Sequence, residues 1–257
     1  MLVTNFGLKA FLYKVVTSWI QLWDVGRIHP WRERNIRALN RTVDYVEEHM
    51  ADALGMDRQR DLLVYALSQS KVEGHYTEFG VFTGGTIRFT ARQLRRQKRT
   101  AKTLVHGFDS FEGLPEAWSG FNLGDRAFDV GGKLPDVPSS VKLHKGWFEN
   151  SIPPWLAKHA GPIAYMHIDC DLYSSTKTIF ELLAPRMVPG TIVLFDEYFN
   201  YPNWEKHEFK AFQEFVKTHN VRYTYLGYAR QQVAVRIDAI GPAIAPPNEP
   251  LKITVAQ

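Results

Sequence analysis

Carboxylate side chains follow two apolar runs in the second half of the chain. Asp169 and Asp171 come directly after the first run, and Asp196 and Glu197 come directly after the second. If the runs are neighbouring strands, about 5 Å apart, their ends bring these carboxylates together. Clustered carboxylates repel one another unless a cation or protons intervene, and hard oxygen ligands suit Mg2+ or another divalent cation. We therefore predict that Asp169, Asp196 and Glu197 are metal ligands, whereas Asp171 is explained as well by capping the next helix.

A glycine turn precedes these acids by about ninety residues. Gly80 ends the apolar run E-F-G, and Gly84 and Gly85 follow before a helical pattern begins. Glycine lets the backbone approach a ligand closely, and a helix N-terminus favours an anionic group such as a carboxylate. The spacing, with Glu78 two residues before Gly80, is E-x-G-x-x-x-G and not the G-x-G-x-x-G of nicotinamide sites. It is typical of the first motif of methyltransferases, although glycine turns after strands also occur for structural reasons alone.

Asp109 ends the next apolar run, within V-H-G-F-D-S-F-E-G-L-P. In a doubly wound sheet, an acid at the end of the second strand can accept hydrogen bonds from both ribose hydroxyls of a nucleoside. The alternative is an aspartate that only caps the loop beginning at Ser110. The extended motif favours the ribose-binding role.

The elements that must position these residues are read from the apolar periodicity. Residues 32–53 and 60–70 show helical spacing, and from Tyr76 short apolar runs alternate with helical segments, which indicates a mostly parallel sheet. Strands are predicted at residues 75–81, 103–108, 141–144, 163–168, 191–195, 222–228 and 232–237, the last two forming a hairpin. Helices are predicted at residues 86–96, 174–187 and 205–218. Residues 112–140 lack periodicity and are predicted to be a lid or binding loop.

This pattern predicts an α/β fold, a mostly parallel seven-stranded sheet with helices on both faces. We divide the chain into an N-terminal helical extension (residues 1–70), the α/β domain (71–240) and a loose tail (241–257). With 257 residues, 45% of them hydrophobic, the chain is long enough for one large domain and too apolar for a disordered protein.

The net charge of the chain does not require a nucleic acid or another acidic binding partner. The net charge of +4 and the pI near 9.0 are a mild basic excess that needs no nucleic acid to explain it. The densest basic patch lies at a predicted helix end, where cations complement the helix dipole: Arg92, Arg95, Arg96, Lys98, Arg99 and Lys102. Cys170 is the only cysteine, which excludes an intramolecular disulfide and a cysteine-built zinc site and fits a cytoplasmic location.

The opening residues 2–25 are apolar and aromatic, but Lys9, Lys14 and Asp24 interrupt them. They match neither a secretory signal nor an integral membrane span of about 18 apolar residues. We expect a helix that packs on its own domain or on a second copy, which makes the N-terminal helices the expected homo-oligomer contact. A helix lying on a membrane surface is the third alternative.

Taken together and in order, five motifs resemble the macrocin O-methyltransferase family, which methylates sugar hydroxyls in antibiotic biosynthesis. The resemblance spans residues 60–237 and rests on E-F-G-V-F-T-G-G-T, D-S-F-E-G-L-P, G-W-F-E-N-S-I-P, I-D-C-D-L-Y-S-S-T and P-G-T-I-V-L-F-D-E-Y. It implies a class I methyltransferase fold (Rossmann-like), S-adenosylmethionine as donor and usually magnesium.

The resemblance also assigns expected roles to residues. Glu78 and Gly80 would face the methionine end of the donor, and the same region of the fold supplies Thr83, Gly84 and Ser110. Asp109 would hold the ribose, and Trp147 with Phe148 would border the adenine. Asp169 would be a metal ligand and the catalytic base. Glu197 departs from the family, which commonly has Asp there, and Leu172 stands where catechol-type relatives have a lysine base.

Two histidines are alternative accessory bases. His106 and His167 are predicted to be structural because alternate strand positions face the core, while His144 or His167 remains a secondary candidate for proton transfer. The expected reaction is methyl transfer to a small-molecule or saccharide hydroxyl. The alternatives are a phenol or catechol acceptor, a nucleotide-binding oxidoreductase on the same architecture, and a non-catalytic scaffold.

Overall fold

The computed structural model describes residues 29–97 and 105–242, which form six helices and eight strands. The helices are α1 (Pro30–His49), α2 (Gln59–Gln69), α3 (Gly85–Arg96), α4 (Phe148–Lys158), α5 (Tyr173–Leu183) and α6 (Glu208–Thr218). The strands are β1 (Leu54–Gly55), β2 (His75–Phe79), β3 (Val105–Asp109), β4 (Val141–Lys145), β5 (Ile163–Ile168), β6 (Ile192–Phe195), β7 (Arg222–Ala229) and β8 (Gln232–Ala239).

All eight strands belong to one sheet, in the order β1-β7-β8-β6-β5-β2-β3-β4. Only β8 is antiparallel to its neighbours, because the tight turn from β7 reverses the chain. From β2 the sheet grows outward through β3 and β4, and from β5 it grows the other way through β6. The boundary between β2 and β5 is therefore the switch point at which ligands bind in open α/β sheets.

Alternating side chains of the sheet build a core on each face. Along β6, Val193 and Phe195 pack with α1, α4, α5 and α6, whereas Ile192 and Leu194 pack with α2 and α3. A parallel sheet covered on both faces needs strands that are apolar throughout, and β5 and β6 are fully buried. The predicted α/β fold with helices on both faces is confirmed.

The structure adds two elements that the apolar pattern did not predict. The two-residue β1 pairs in parallel with β7 and makes the sheet eight-stranded instead of seven. The helix α4 contains Pro153 and Pro154, residues that normally signal the end of a helix. Its buried Ile152 and Trp155 show that packing on the sheet outweighs the proline penalty.

Four tyrosine hydroxyls fasten α1 to the sheet. Tyr225 in β7 lies 2.6 Å from Tyr45 of α1, 2.7 Å from Tyr198 and 3.1 Å from Tyr223, measured between hydroxyl oxygens. The opposite side of α1 carries three half-exposed apolar side chains at helical spacing: Ile36, Leu39 and Val43.

Several expectations fall outside the described residues. They are the opening helix at residues 2–25, the basic residues Lys98, Arg99 and Lys102, and residues 243–257 of the tail. Within the part of the chain that the structure describes, no helix is both long enough and apolar enough to cross a membrane. The division of the chain at residues 70 and 240 stays a prediction.

Candidate active site

A cavity of about 800 Å3 opens at the carboxyl ends of β2, β3, β5 and β6. Eight of the predicted site residues line it: Gly80, Thr83, Asp109, Ser110, Trp147, Phe148, Asp169 and Glu197. The other three predicted site residues, Glu78, Gly84 and Asp196, do not line the cavity. Leu114, Pro115 and Trp118 also line the cavity, and they belong to the long loop that was predicted to be a lid or binding loop without naming these side chains.

Gly80 brings the turn after β2 against the turn after β5. Its φ is +89°, and a Cβ placed there would lie 1.7 Å from the carbonyl oxygen of Asp169. Every other residue would therefore clash with the backbone of Asp169 as well as being strained. The glycine thus closes the distance between the glycine turn and the first carboxylate turn.

The Asp109 carboxylate is held by three backbone N–H groups. Oδ2 accepts hydrogen bonds from Val81 and Phe82, each 2.7 Å, and Oδ1 accepts one from Phe111 at 2.6 Å. Asp109 therefore orders the glycine turn and caps its own loop, and it also faces the cavity. The two predicted roles, loop cap and ligand contact, are compatible in this geometry.

The four acids after β5 and β6 form two overlapping groups whose ligand atoms lie within 4.8 Å of one another. One group contains Asp169, Asp171 and Glu197, and the other contains His167, Asp169 and Asp196. Asp169 belongs to both groups, whereas Asp196 belongs to one and Glu197 to the other, so the three predicted ligands are divided between the two groups. Asp171, which the sequence explained as a helix cap, is buried and lines the cavity with a φ of +65°.

Burial and mutual repulsion change the protonation of the group around Glu197. Burial first, and then the charge of Asp196, raises the pKa of Asp171 to about 7 and those of Asp169 and Glu197 well above their usual values. One oxygen of Glu197, Oε2, is buried and has no hydrogen-bond partner in the part of the chain that the structure describes. A cation at this position would relieve both the repulsion and the unsatisfied oxygen.

His167 links the glycine strand to the second group of acids. Its Nδ1 lies 3.3 Å from Glu78 Oε2 and its Nε2 lies 3.5 Å from Asp196 Oδ1, all in the buried layer between β2, β5 and β6. Burial alone would lower the pKa of His167, but Asp196 and Glu78 outweigh it and raise that pKa well above 6.5. Burial opposes ionisation of Asp196 as well, yet the contact with His167 leaves its pKa lowered.

Glu78 and Asp196 thus lie on either side of the His167 ring, each near one of its nitrogens. Gln232 of β8 donates a further hydrogen bond to Asp196. The row of polar groups extends across β2, β5, β6 and β8, four adjacent strands. The row depends on the order of these strands, so no local pattern in the sequence predicts it.

The proposed accessory base His144 does not line the cavity. It contacts His106 at 3.0 Å between Nε2 and Nδ1, in a group of rings that also contains Trp155 and His159. Burial and the neighbouring imidazoles lower the pKa of His106 to about 3, and burial with Lys142 lowers that of His144 to about 4. This group is separate from the acids.

A fifth acid, Glu208, was missed by the sequence reasoning. It opens α6, is fully buried, and accepts hydrogen bonds from the turns after both β5 and β6. An acid in the first turn of a helix is ordinarily explained by the helix dipole, so its sequence position carries no signal of this role.

The segment of the chain that forms this cavity matches a known protein family. Residues 77–198 match the family model Methyltransf_24, described as a methyltransferase domain. That range begins in β2 and ends just after β6, so it contains the glycine turn, Asp109 and the acids. Residues 77–198 thus match a methyltransferase domain, and the resemblance predicted from the motifs is confirmed.

Two curated relatives specify the likeness further. The chain is 33% identical over 147 residues to the 8-demethyl-8-(2,3-dimethoxy-alpha-L-rhamnosyl)-tetracenomycin-C 4'-O-methyltransferase of Streptomyces olivaceus, covering 49% of this chain and 54% of the relative. It is 26% identical over 150 residues to the demethyldecarbamoylnovobiocin O-methyltransferase of Streptomyces niveus, covering 52% of this chain and 56% of the relative. The matches span about half the length of these relatives.

The solved structure of the calicheamicin methyltransferase CalS11 superposes with a TM-score of 0.55. The superposition covers 81% of this chain and 93% of that chain at 21% sequence identity. At this identity the likeness establishes the fold alone.

Proposed function

We propose that the protein transfers a methyl group from S-adenosylmethionine to a hydroxyl of a sugar or glycoside, assisted by a divalent cation. The observation that carries the proposal is one cavity lined both by the glycine turn after β2 and by the carboxylates of Asp169, Asp171 and Glu197. A donor bound at the glycine turn would then lie next to an acceptor bound at the acids.

The donor would occupy the side of the cavity formed by β2, β3 and the start of α4. Asp109 is available to the ribose, and the half-buried Trp147 and Phe148 offer flat apolar faces to the adenine. Thr83 and Ser110 add hydroxyl groups, and the N-terminus of α3, which begins after Gly84, favours the methionine carboxylate. Glu78 would influence the donor site only indirectly, because its side chain is buried against His167 and does not line the cavity.

The acids fit a hard divalent cation. Asp169, Asp171 and Glu197 bring three carboxylates close enough for one ion, and Asp196 belongs to the second group with Asp169 and His167. Glu197 Oε2 has no hydrogen-bond partner among the described residues. We propose Asp169, Asp196 and Glu197 as ligands, with Asp171 as an additional candidate that the geometry supports. When bound, such a cation supplies Lewis-acid chemistry, which lowers the pKa of an alcohol nearby.

Asp169 is the proposed base. It lines the cavity and belongs to both acid groups, so an acceptor hydroxyl bound in the cavity can reach it. The carboxylate would accept the hydroxyl proton while the oxygen attacks the methyl group in line, the bond from that methyl group to sulfur breaks, and S-adenosylhomocysteine leaves. Holding both reactants in this geometry can supply about 7–11 kcal/mol of the barrier.

The sugar or glycoside class rests on the similarity to known enzymes, one of which is an O-methyltransferase of a rhamnosyl compound. We propose no nucleic-acid partner. A second copy of the chain is proposed to pack against the apolar side of α1 that carries Ile36, Leu39 and Val43, which supports the predicted contact through the N-terminal helices. The buried thiol of Cys170 fits the cytoplasmic location that we propose.

The first experiment is methyl transfer from labelled S-adenosylmethionine to two panels of acceptors, glycosides and catechols, with magnesium or with excess chelator. We expect transfer to a glycoside, loss of turnover in chelator with donor binding retained, and recovery on adding magnesium. Asp169→Asn and Asp196→Asn should each lower the rate on the order of a hundredfold, because each removes charge from the cation site. Full activity in chelator with both variants active would refute the metal-assisted mechanism, and transfer to catechols alone would refute the acceptor class.

A further inference from the structure

Both carboxylate oxygens of Glu208 accept hydrogen bonds from backbone groups. Oε1 accepts hydrogen bonds from the N–H groups of Cys170 at 3.4 Å and Asp171 at 3.3 Å. Oε2 accepts one from the N–H of Glu197 at 3.2 Å. The first two groups belong to the turn after β5 and the third belongs to the turn after β6, so a single side chain joins both carboxylate-bearing turns.

This arrangement is costly and is not explained by helix stability. The side chain of Glu208 is completely buried, whereas the other acids of α5 and α6, Glu181 and Glu214, are exposed. A buried carboxylate is tolerated only where hydrogen bonds replace its hydration. An acid that only stabilised the helix dipole could remain exposed to solvent. The burial of Glu208 is therefore explained by its hydrogen bonds with the backbone of the two turns.

The partners are segments that need an external constraint. Asp171 has a left-handed backbone, φ +65°, which is unfavourable for a residue with a side chain. The two turns also carry acids that repel one another across the cavity. Hydrogen bonds from both turns to one rigid acceptor oppose that repulsion and fix the separation between Asp169, Asp171 and Glu197.

We propose that Glu208 is a positioning residue that holds the two carboxylate turns at the spacing a divalent cation requires. The inference rests on the metal site proposed above, but the geometry it concerns exists without the metal. Glu208 itself contributes no ligand, because both of its oxygens face peptide N–H groups. It acts through the position of Asp171 and Glu197.

The test compares Glu208→Ala, Glu208→Gln and the control Glu181→Ala, which changes an exposed acid of α5. Binding of Mn2+ is followed by its electron paramagnetic resonance signal, and donor binding by calorimetry. Because partners behind a metal ligand typically change metal affinity by about 10–100-fold, we expect that loss in Glu208→Ala with donor affinity unchanged. Glu208→Gln keeps one acceptor oxygen, so its metal affinity should lie between those of Glu208→Ala and the unaltered protein, while Glu181→Ala should match the unaltered protein.

Kinetics and amide exchange complete the test. Glu208→Ala should raise the metal concentration needed for half-maximal rate while kcat recovers at saturating metal, which a general loss of folding would not produce. Hydrogen exchange without metal should be faster at the amides of Cys170, Asp171 and Glu197 in Glu208→Ala. Unchanged exchange at these amides would overturn the proposal even if the protein bound no metal. Equal losses of metal and donor affinity would overturn it too, while absence of Mn2+ binding in the unaltered protein would refute only the metal site.

Discussion

At the scale of single residues, the site depends on carboxylates that face backbone N–H groups as well as ligands. Asp109 and Glu208 are both examples, one holding the glycine turn and the other holding the acid turns. A hydrogen bond to a charged group contributes about 1.5–3 kcal/mol, so each such acid fixes its turn firmly. Side chains that need not contact the acceptor therefore fix the turns that line the cavity.

We predict that Asp109→Ala lowers the affinity for S-adenosylmethionine by about 1.5–3 kcal/mol, on the order of 10- to 100-fold, because the acceptor of charged hydrogen bonds is lost. Isothermal titration calorimetry measures the change directly. Asp129→Ala is the matched control, since Asp129 lies in a nearby loop and pairs with the exposed Arg126. Unchanged donor affinity in Asp109→Ala would remove Asp109 from the donor site.

At the scale of elements, the long loop at residues 112–140 contains two unlike parts. The first part is docked: Trp118 is buried, Phe121 stacks on Tyr201 at 5.2 Å, and Ser174 donates a 2.6 Å hydrogen bond to Glu116. The second part is mostly exposed, and Phe128 there touches Phe82 of the glycine turn at a centroid distance of 5.7 Å. The contact joins the loop to the rim of the cavity.

We predict that donor and acceptor together slow amide exchange in residues 125–137 more than in residues 117–123. The exposed part has fewer buried contacts to hold it, so its order depends more on ligands, as in loops that close over a reaction. Hydrogen exchange with and without ligands gives the comparison. Equal exchange in both states across residues 125–137 would show that this loop is not a lid.

The contact between His106 of β3 and His144 of β4 makes the edge of the sheet sensitive to acid. Both pKa values are lowered by folding, to about 3 and about 4, against an unfolded value of about 6.5. A depressed pKa in a histidine means that the stabilisation is present above pH 6.5 and is lost as the pH falls toward 4. We expect the free energy of unfolding to fall by about 1–2 kcal/mol between pH 6.5 and 5. This value is reduced for solvent screening because His144 is only partly buried.

Urea unfolding at several pH values tests this expectation. The buried carboxylates of the site also titrate, so the useful quantity is the difference between the unaltered protein and the double variant His106→Gln/His144→Gln. The free energy of unfolding of the unaltered protein should exceed that of the double variant by less as the pH falls. A difference independent of pH between 6.5 and 5 would contradict the lowered pKa values.

At the scale of the whole molecule, the apolar pattern predicted the architecture well for a physical reason. Buried strands such as β5 are largely apolar, here with His167 as the exception, and the predicted limits of β5, residues 163–168, are those of the structure. The glycine turn and the acids were visible because they recur at the ends of several strands, where the sheet places its ligands. The pattern failed at α4, where tertiary packing outweighs Pro153 and Pro154.

Long-range contacts were beyond any local pattern. Nothing near Glu208 in the chain reveals that it meets Cys170 and Glu197, because those contacts depend on how α6 returns to the sheet. The pairing of His167 with both Glu78 and Asp196 likewise requires the strand order, which places β5 between β2 and β6. Strand ends indicated which residues face the site, but not which residues hold them there.

The placement of aromatic side chains gives the molecule an optical property. Of its seven tryptophans, Trp118 and Trp147 both line the cavity, one in the long loop and one at the start of α4. Indole emission depends on stacking and on water, so a nucleoside that binds against Trp147 should quench it and an acceptor that displaces water near Trp118 should shift it. Trp147→Phe should abolish the response to S-adenosylmethionine and leave the response to a glycoside, whereas Trp118→Phe should do the reverse. The two ligands of one reaction would then be observed separately, in the same cuvette and without a label.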